Sequence, residues 1–350
     1  MTPPPPLRRQ PPRAAIVGLS GPALSPLEAE TWRETPPLGA ILFSRNIENP
    51  DQLRALVADI RTELGEEAPI LVDQEGGRVA RLRAPHWPEF PAAAAFGDLP
   101  RDGSEEAVRA NAALLGLACR DAGFDVVCAP VLDLRLPGQH EIIGDRAFAS
   151  DPAEVVRLGR ASVLGLQEAG CVPVIKHIPG HGRAAVDSHA ELPRVAASRD
   201  ALALDCAPFA ALADTGAWAM TAHILYQSLD PALPATLSEI VISRVIRHAI
   251  GFEGVLVSDD LCMKALRGEP ASLAQQAIAA GCDLVLHCNG DPAETASLLA
   301  GCPSLSVLAE ERLHAAKARV AEALRPLDPA VLQAVRDTHL LATTTAAAAA

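Results

Sequence analysis

A repeated pattern limits the architectures open to this chain: a short apolar segment, then a polar loop, then a longer stretch with helical periodicity. Such alternation is typical of parallel sheets, because the chain must return through a crossover before the next parallel strand can begin. Eight apolar segments have the length and flanking turn residues of buried strands, which is the number of strands in a (β/α)8 barrel. The predicted strands are Ala14–Leu19, Gly39–Phe43, Ile70–Asp73, Asp125–Val131, Val172–Ile175, Ala217–Ala222, Gly254–Ser258 and Asp283–His287.

Helical periodicity falls between these strands, as right-handed crossovers require. Polar side chains follow almost every predicted strand, and the active sites of barrels form at that end. An open, doubly wound sheet is the competing fold, but it gathers its polar residues at a single switch point. The pattern therefore favours an α/β protein with a single (β/α)8 TIM barrel. The predicted helices include Asp51–Leu64, Ala107–Ala122, Pro152–Ala169, Leu237–Ala249 and Leu273–Ala280.

The chain divides into a barrel and two short terminal segments. At 350 residues with 49% hydrophobic content, it can bury one large core. Residues 1–13 form a Pro-rich N-terminal segment, and residues 14–340 contain the predicted barrel. Residues 341–350 are rich in Ala and Thr and lack a patterned apolar face, so this tail is expected to be disordered or loosely helical.

Composition and charge exclude several kinds of partner. The net charge of −13 argues against nucleic acid or an anionic membrane surface, because both require a basic protein surface. No run of about 18 apolar residues could cross a membrane, and no secretory core follows the N-terminal segment. The eight Cys occur singly in apolar runs without zinc-ligand spacing, as in reduced cytosolic proteins. We therefore expect a cytoplasmic protein without a metal or other cofactor, and the sequence does not predict its oligomeric state.

The highest density of chemically active side chains lies directly after the fifth predicted strand. Residues 176–189 read KHIPGHGRAAVDSH, with three His, one Lys, one Arg and one Asp. Glycine and proline in the first half allow a sharp turn and a close approach to a ligand. Asp187 lies two positions before His189, so its carboxylate can accept a hydrogen bond from one ring nitrogen and raise the basicity of the other. Such a dyad is a candidate general acid and base.

Three other strand ends carry charged residues. Asp73 ends the third strand and is costly to bury without a partner, such as Arg78, Arg81 or a sugar hydroxyl. Arg146 lies in the loop after the fourth strand, where a surface ion pair of little energetic value is the alternative interpretation. The seventh strand runs into Asp259 and Asp260, of which one can cap the following segment while the other is available for nucleophilic work.

These motifs together resemble the signature of glycoside hydrolase family 3, and more narrowly that of the bacterial β-N-acetylglucosaminidases that recycle peptidoglycan in the cytoplasm. The resemblance covers roughly residues 14–327 and departs from the family pattern at Ile178, where an aromatic residue is usual. It implies that Asp259 forms a glycosyl-enzyme intermediate and that the dyad of Asp187 and His189 acts as acid and base. It also implies a set of substrate-binding residues: Asp73, Arg81, Arg146, Lys176 and His177.

The resemblance further implies a reaction. Many members of the family carry a second α/β domain that supplies the acid/base carboxylate, whereas this chain ends soon after the eighth predicted strand. The acid and base are therefore expected to come from the barrel, which fits the N-acetylglucosaminidase branch. The expected enzyme is a retaining exo-glycosidase that releases non-reducing terminal β-linked N-acetylglucosamine from peptidoglycan fragments, the GlcNAc-anhydro-muramoyl peptides. A chitin-type leaving sugar would present the same terminal unit, so the sequence leaves the natural leaving group open.

Four other functions are weighed against this one. A β-N-acetylglucosaminide phosphorylase would use the same residues with phosphate in place of water, and a non-catalytic sugar-binding barrel would retain the pocket alone. A serine hydrolase is disfavoured because the sequence contains no Gly-x-Ser-x-Gly elbow. A metal-dependent hydrolase could use His177, His181 and Asp259, but this set lacks the His-x-His pair common in such sites.

Overall fold

The computed structural model describes residues 10–138, 140–188 and 190–348, with side chains described as far as residue 340. The strands of this described chain are β1 Arg13–Gly18, β2 Pro37–Leu42, β3 Ile70–Val72, β4 Val126–Val127, β5 Val172–Ile178, β6 Arg194–Val195, β7 Trp218–Thr221, β8 Leu225–Tyr226, β9 Leu256–Asp260 and β10 Leu284–His287. Eight of them close into a parallel barrel in the order β1-β10-β9-β7-β5-β4-β3-β2, which confirms the predicted TIM barrel. β6 and β8 pair separately as a small parallel sheet.

All eight predicted barrel strands are present, but two of them differ markedly in length from the prediction. β4 is much shorter than predicted, and the chain continues into Ala129 and Pro130. Because proline has no N–H to donate, the regular ladder ends here and resumes only as an isolated bridge between Val131 and Lys176. β5 instead continues past its predicted end at Ile175, which carries the strand into the polar segment.

Helices fill the crossovers between the barrel strands. Several begin with a polar N-cap followed by proline; among these, the side chains of Asn49, Asp151 and Asp291 accept backbone N–H groups of the first turn. Proline suits the next position because an N–H there would have no acceptor within the helix. In chain order the helices are α1 Pro26–Glu34, α2 Pro50–Leu64, α3 Ala93–Gly97, α4 Arg101–Asp121, α5 Pro152–Glu168, α6 Arg199–Ala211, α7 Pro270–Ala280, α8 Pro292–Gly301, α9 Val307–Ala323 and α10 Pro329–Ala348.

One predicted helix takes another form. The segment predicted as helical from Leu237 to Ala249 begins in the 3-10 turn Ala235–Leu237 and continues as a π-helix over Val241–Ala249. Two further 3-10 turns, Ser44–Asn46 and Gly144–Arg146, follow β2 and precede α5. The second of these carries Arg146 toward the barrel mouth.

The chain ends differ slightly from the predicted boundaries. β1 begins at Arg13, one position before the predicted start of the barrel, and residues 1–9 lie outside the described chain. The tail, expected to be disordered or loosely helical, continues α10 as far as Ala348, while residues 349 and 350 are not described. None of the described helices has the length and apolar character needed to cross a membrane.

A small apolar cluster supports the segment that follows β5. It is separate from the main barrel core and includes Ala184, Val195 and Tyr226. The Tyr226 hydroxyl also donates a hydrogen bond of 2.8 Å to the carbonyl of Gly180. Gly180 has a φ of 138°, and a Cβ there would lie 2.6 Å from Cβ of Asp205, so only glycine fits this close approach. The loop that carries the predicted dyad therefore has its own packed base.

Candidate active site

A pocket of about 360 Å³ opens at the carboxyl ends of the barrel strands. The active sites of this fold form at that end because the loops after the strands converge there. Asp187, one of the eight predicted site residues, is half-buried in the loop after β5, and His189 lies outside the described residues. The other six line the pocket: Asp73, Arg81, Arg146, Lys176, His177 and Asp259.

Five charged side chains on the pocket wall form a charge network. The Lys176 ammonium, which is 2% exposed, lies 2.9 Å from Asp73 Oδ1 and 2.6 Å from Glu75 Oε1. Arg81 contacts the other carboxylate oxygen of Asp73 at 3.3 Å. Arg146 donates two parallel hydrogen bonds to Glu75, at 2.8 and 2.9 Å. Such bidentate contacts fix the orientation of both groups as well as their separation.

The charge network keeps its buried members ionised. Burial by itself would raise the pKa of Glu75, but Arg146 and Lys176 outweigh this effect and hold the pKa well below its usual range. Burial would likewise lower the pKa of Lys176, but Asp73 and Glu75 reverse the direction. The wall therefore presents fixed cations and carboxylates, a combination suited to the donor and acceptor character of sugar hydroxyls.

The sequence analysis assigned no role to Glu75, but its place in the charge network predicts that it stabilises the fold. Glu75→Gln is expected to lower the free energy of unfolding by about 3 to 5 kcal/mol, the usual loss when one partner of a buried ion pair is removed. The side chains of Glu75, Arg146 and Lys176 are each at most 10% exposed, so water cannot replace the missing charge. Urea unfolding followed by circular dichroism measures the change.

The matched control is Glu67→Gln, which removes the exposed carboxylate paired with Lys317 at 2.9 Å. Exposed ion pairs contribute little, so this variant should unfold almost as the parent does. If Glu75→Gln unfolded at the same urea concentration as the control, the charge network would not stabilise the fold in the way its burial suggests.

Two consecutive residues of β5 reach the pocket because the strand contains a bulge. Lys176 pairs with Met220 of β7, whereas Ile178 pairs with Thr221, so one extra residue is accommodated on β5. Side chains of a regular strand alternate between the two faces, and a bulge removes this restriction locally. Lys176 and His177 can therefore both line the same pocket.

Asp133 orients His177 from below the pocket. Its side chain is fully buried, and Oδ2 lies 2.7 Å from His177 Nδ1. The backbone N–H of His181 donates to Oδ1 at 2.6 Å. Burial would raise the pKa of Asp133, but His177 and the His181 N–H hold it below its usual range. The ionised carboxylate accepts a hydrogen bond from the Nδ1–H group, which leaves Nε2 of His177 available to the pocket.

Asp259 presents its carboxylate to the pocket at the end of β9. Oδ1 accepts a hydrogen bond of 2.8 Å from the backbone N–H of Asp260. Burial would raise the pKa of Asp259, but His223, His177 and this N–H hold it below its usual range. The group is therefore ionised near neutral pH, which is the state that a carboxylate nucleophile requires.

The adjacent carboxylate, that of Asp260, is engaged by the backbone. Its Oδ1 accepts the N–H of Cys262 at 3.0 Å and the N–H of Cys288 at 2.9 Å. Its carbonyl oxygen also lies 2.9 Å from Nε2 of His223. Moving this carboxylate would leave two backbone donors without an acceptor, at a cost of about 1 to 3 kcal/mol each. Asp260 thus holds the ends of β9 and β10 together.

The loop after β5 is tied down near the pocket. Nε2 of His181 lies 3.3 Å from Oγ of Ser188, and both residues line the pocket. Burial, together with the nearby His177, lowers the pKa of His181 to about 4, so this ring is neutral at neutral pH. Arg183 pairs with Asp205 of α6 at 2.5 Å. His177 and His181, the two histidines of the alternative metal-ligand set, thus each contact a protein side chain.

The predicted dyad follows on the same loop. The carbonyl of Asp187 accepts the N–H groups of Ala190 and Glu191 at 3.0 and 3.1 Å. Because His189 is not described, the pairing of its ring with Asp187 and its distance from Asp259 stay predictions.

The sequence and the fold both have known relatives. Residues 27–323 match the family described as the N terminal domain of glycosyl hydrolase family 3. A β-hexosaminidase from Alkalilimnicola ehrlichii is 42% identical over 310 residues, which cover 85% of this chain and 86% of that protein. A β-hexosaminidase from Methylococcus capsulatus is 40% identical over 285 residues, covering 80% of this chain and 84% of that protein.

Solved structures agree with these matches. NagZ from Neisseria gonorrhoeae, in complex with N-trifluoroacetyl-D-glucosamine, superposes with a TM-score of 0.84 and is 32% identical, covering 95% of this chain and 99% of that one. A family 3 β-N-acetylglucosaminidase from a Paenibacillus species superposes with a TM-score of 0.77 and is 34% identical, covering 90% of this chain and 62% of that one.

Proposed function

The chain belongs to glycoside hydrolase family 3, and from this membership we propose that it is a retaining β-N-acetylglucosaminidase with Asp259 as its nucleophile. The proposal rests chiefly on one observation: an ionised Asp259 carboxylate faces the same pocket as the charge network. The curated relatives are named β-hexosaminidases, and one structural relative holds an N-acylated glucosamine, which supports N-acetylglucosamine as the terminal sugar.

The first chemical step forms the glycosyl-enzyme intermediate. A carboxylate oxygen of Asp259 bonds to the anomeric carbon while the bond from that carbon to the leaving oxygen breaks. The imidazolium of His189 gives its proton to the leaving oxygen, and Asp187 fixes the tautomer of the ring. The negative charge of the nucleophile is consumed in this step, so a cationic acid fits better near the leaving group than a second carboxylate.

The second step reverses the proton transfer. His189, now neutral, takes a proton from water as the water oxygen bonds to the anomeric carbon and the bond to Asp259 breaks. Each step inverts the anomeric centre, so the product retains the β configuration. The acid is thereby restored for the next turnover.

The substrate-binding residues orient the sugar for these steps. Asp73, Arg81, Arg146 and Lys176 are held in fixed positions by their mutual ion pairs, so they can bind hydroxyl and carbonyl groups without first being ordered. His177 adds Nε2 from a ring fixed by Asp133. Such preorganisation favours binding of one sugar orientation over others.

We propose peptidoglycan fragments, the GlcNAc-anhydro-muramoyl peptides, as natural substrates and the cytoplasm as the location. The proposed substrate rests on the resemblance to enzymes of peptidoglycan recycling. The proposed location is supported by the eight cysteines, all of which are free in the structure, as is usual in a reducing compartment. Neither nucleic acid nor a membrane surface is proposed as a partner.

Hydrolysis is favoured over phosphorolysis by the state of the pocket cations. A phosphate site needs cationic groups that are available to the anion. Lys176, Arg81 and Arg146 are each already paired with Asp73 or Glu75. We therefore expect water, rather than phosphate, to accept the sugar.

The test is turnover of a nitrophenyl β-N-acetylglucosaminide beside the matching β-glucoside, with and without phosphate. The acetamido substrate should be hydrolysed at least about 100-fold more efficiently, a range typical of pocket contacts to one substituent. The product should be free N-acetylglucosamine at every phosphate concentration. A sugar 1-phosphate product would identify a phosphorylase, and no turnover of either glycoside would indicate a sugar-binding barrel.

A further inference from the structure

A cluster of possible metal ligands lies near Asp260, at the ends of β9 and β10. Cys262 follows β9, His287 ends β10, and Glu294 lies in the first turn of α8. One side-chain donor atom of each lies within 4.8 Å of those of the other two. Their spacing in the sequence does not suggest a metal site, because the barrel brings together residues from three separate elements.

The side chain of His287 has no hydrogen-bond partner among the described residues. It is 1% exposed, and both of its ring nitrogens are buried. Nε2 lies 3.7 Å from a Glu294 oxygen, which is too long for a hydrogen bond. A buried imidazole without partners costs free energy, and a cation bound between these groups would give one of its nitrogens a partner.

The groups around the cluster also suit a bound cation. The side-chain amide of Asn289 donates to Glu294 at 2.5 Å and so holds the carboxylate close to the cluster. The carboxylate of Asp260 accepts the backbone N–H of Cys262 at 3.0 Å and so adds negative charge beside the cysteine.

We propose that Cys262, His287 and Glu294 bind a divalent transition-metal ion of the zinc class, with water as the fourth ligand. One sulfur, one imidazole and one carboxylate form a ligand set that zinc accepts and that magnesium and calcium do not prefer. Binding forms the metal–sulfur bond and releases the thiol proton of Cys262 to solvent. The ion joins β9, β10 and α8 and takes no part in glycoside cleavage, so this proposal does not depend on the proposed function.

Only a small adjustment is needed to bring the three donors into coordination. Metal–ligand bonds of about 2.0 to 2.3 Å in a tetrahedral site place the donors closer together than 4.8 Å, by roughly 1 Å. The Glu294 side chain is 52% exposed, so it can move toward the buried His287 by a change of rotamer. The carboxylate can therefore approach the two strand-end ligands.

Cobalt(II) titration of the untagged, reduced full-length chain tests the proposal. A cobalt–thiolate charge-transfer band should appear in the near ultraviolet at one equivalent and disappear when zinc is added. Cys262→Ser should abolish the band. Glu294→Gln changes an exposed side chain and should not impair folding. It should weaken zinc binding by about 10- to 100-fold or more, because even groups that only support a ligand contribute this much.

Two serine variants serve as matched controls. Cys288→Ser removes the other cysteine near this region, which lines the catalytic pocket, and Cys206→Ser removes a half-buried cysteine on α6. Both should keep the cobalt band. Absence of the band in the parent protein, its survival in Cys262→Ser, or its loss in Cys288→Ser alone would overturn the proposed site.

Discussion

Asp259→Ala is expected to lower kcat/KM on the order of 10⁴- to 10⁶-fold, the range seen when a catalytic nucleophile is removed. The reason is that no other group would then form the bond to the anomeric carbon. The fold should be retained, because the Asp259 carboxylate accepts its hydrogen bond from the backbone N–H of the adjacent Asp260, within the same strand. Steady-state kinetics on the nitrophenyl substrate, together with circular dichroism, measures both effects.

The adjacent carboxylate provides the control for this experiment. Asp260→Asn keeps a side-chain oxygen that can accept the N–H groups of Cys262 and Cys288, so the strand ends should stay joined. It should retain much more activity than Asp259→Ala. A reversed order, with Asp260→Asn inactive and Asp259→Ala active, would move the nucleophile to Asp260.

His189→Ala is expected to slow cleavage of a natural glycoside by about 10² to 10⁴, the usual contribution of general acid catalysis. An aryl glycoside whose phenol leaves readily should lose less in its first step, because its leaving oxygen needs little proton donation. Asp187→Ala should show a weaker version of the same pattern, since it removes the orienting carboxylate and keeps the imidazole. Rates for a series of leaving groups of decreasing acidity measure the effect.

The structure provides a control for the His189→Ala prediction. His177 is also an imidazole oriented by a carboxylate, that of Asp133, and it lines the pocket. If it only binds the sugar, His177→Ala should reduce the rates of good and poor leaving groups equally. Equal losses for His189→Ala, with leaving-group dependence in His177→Ala, would instead assign the acid and base to His177.

The barrel could be predicted because its strands are distinct in the sequence. Each is a short apolar run bounded by turn residues, and eight such runs alternate with helical stretches. The length of β4 could not be predicted, because Pro130 interrupts the ladder inside an otherwise apolar run. The helices α6, α8 and α9 were not singled out, since their apolar residues are spread around the helix and give little contrast between a buried and an exposed face.

The pocket could be predicted only in part. Six of the proposed site residues lie near the carboxyl ends of strands or in the loops after them, and parallel strands bring such ends together. Glu75 and Asp133 were not singled out because their partners are distant in sequence: Arg146 lies 71 positions from Glu75, and His177 lies 44 positions from Asp133. Without an alignment or a fold, nothing in the sequence links these pairs. The cluster of Cys262, His287 and Glu294 escaped prediction for the same reason.

Covalent trapping tests the role of Asp259 directly. A 5-fluorinated N-acetylglucosaminyl fluoride has a good leaving group, so the intermediate should form, while the ring fluorine destabilises the transition state and slows its hydrolysis. Mass spectrometry of the intact protein should show one added sugar, and peptide analysis should place it on Asp259. A label on Asp260 or on another residue, or no label on an enzyme that the compound inactivates, would contradict the proposed nucleophile.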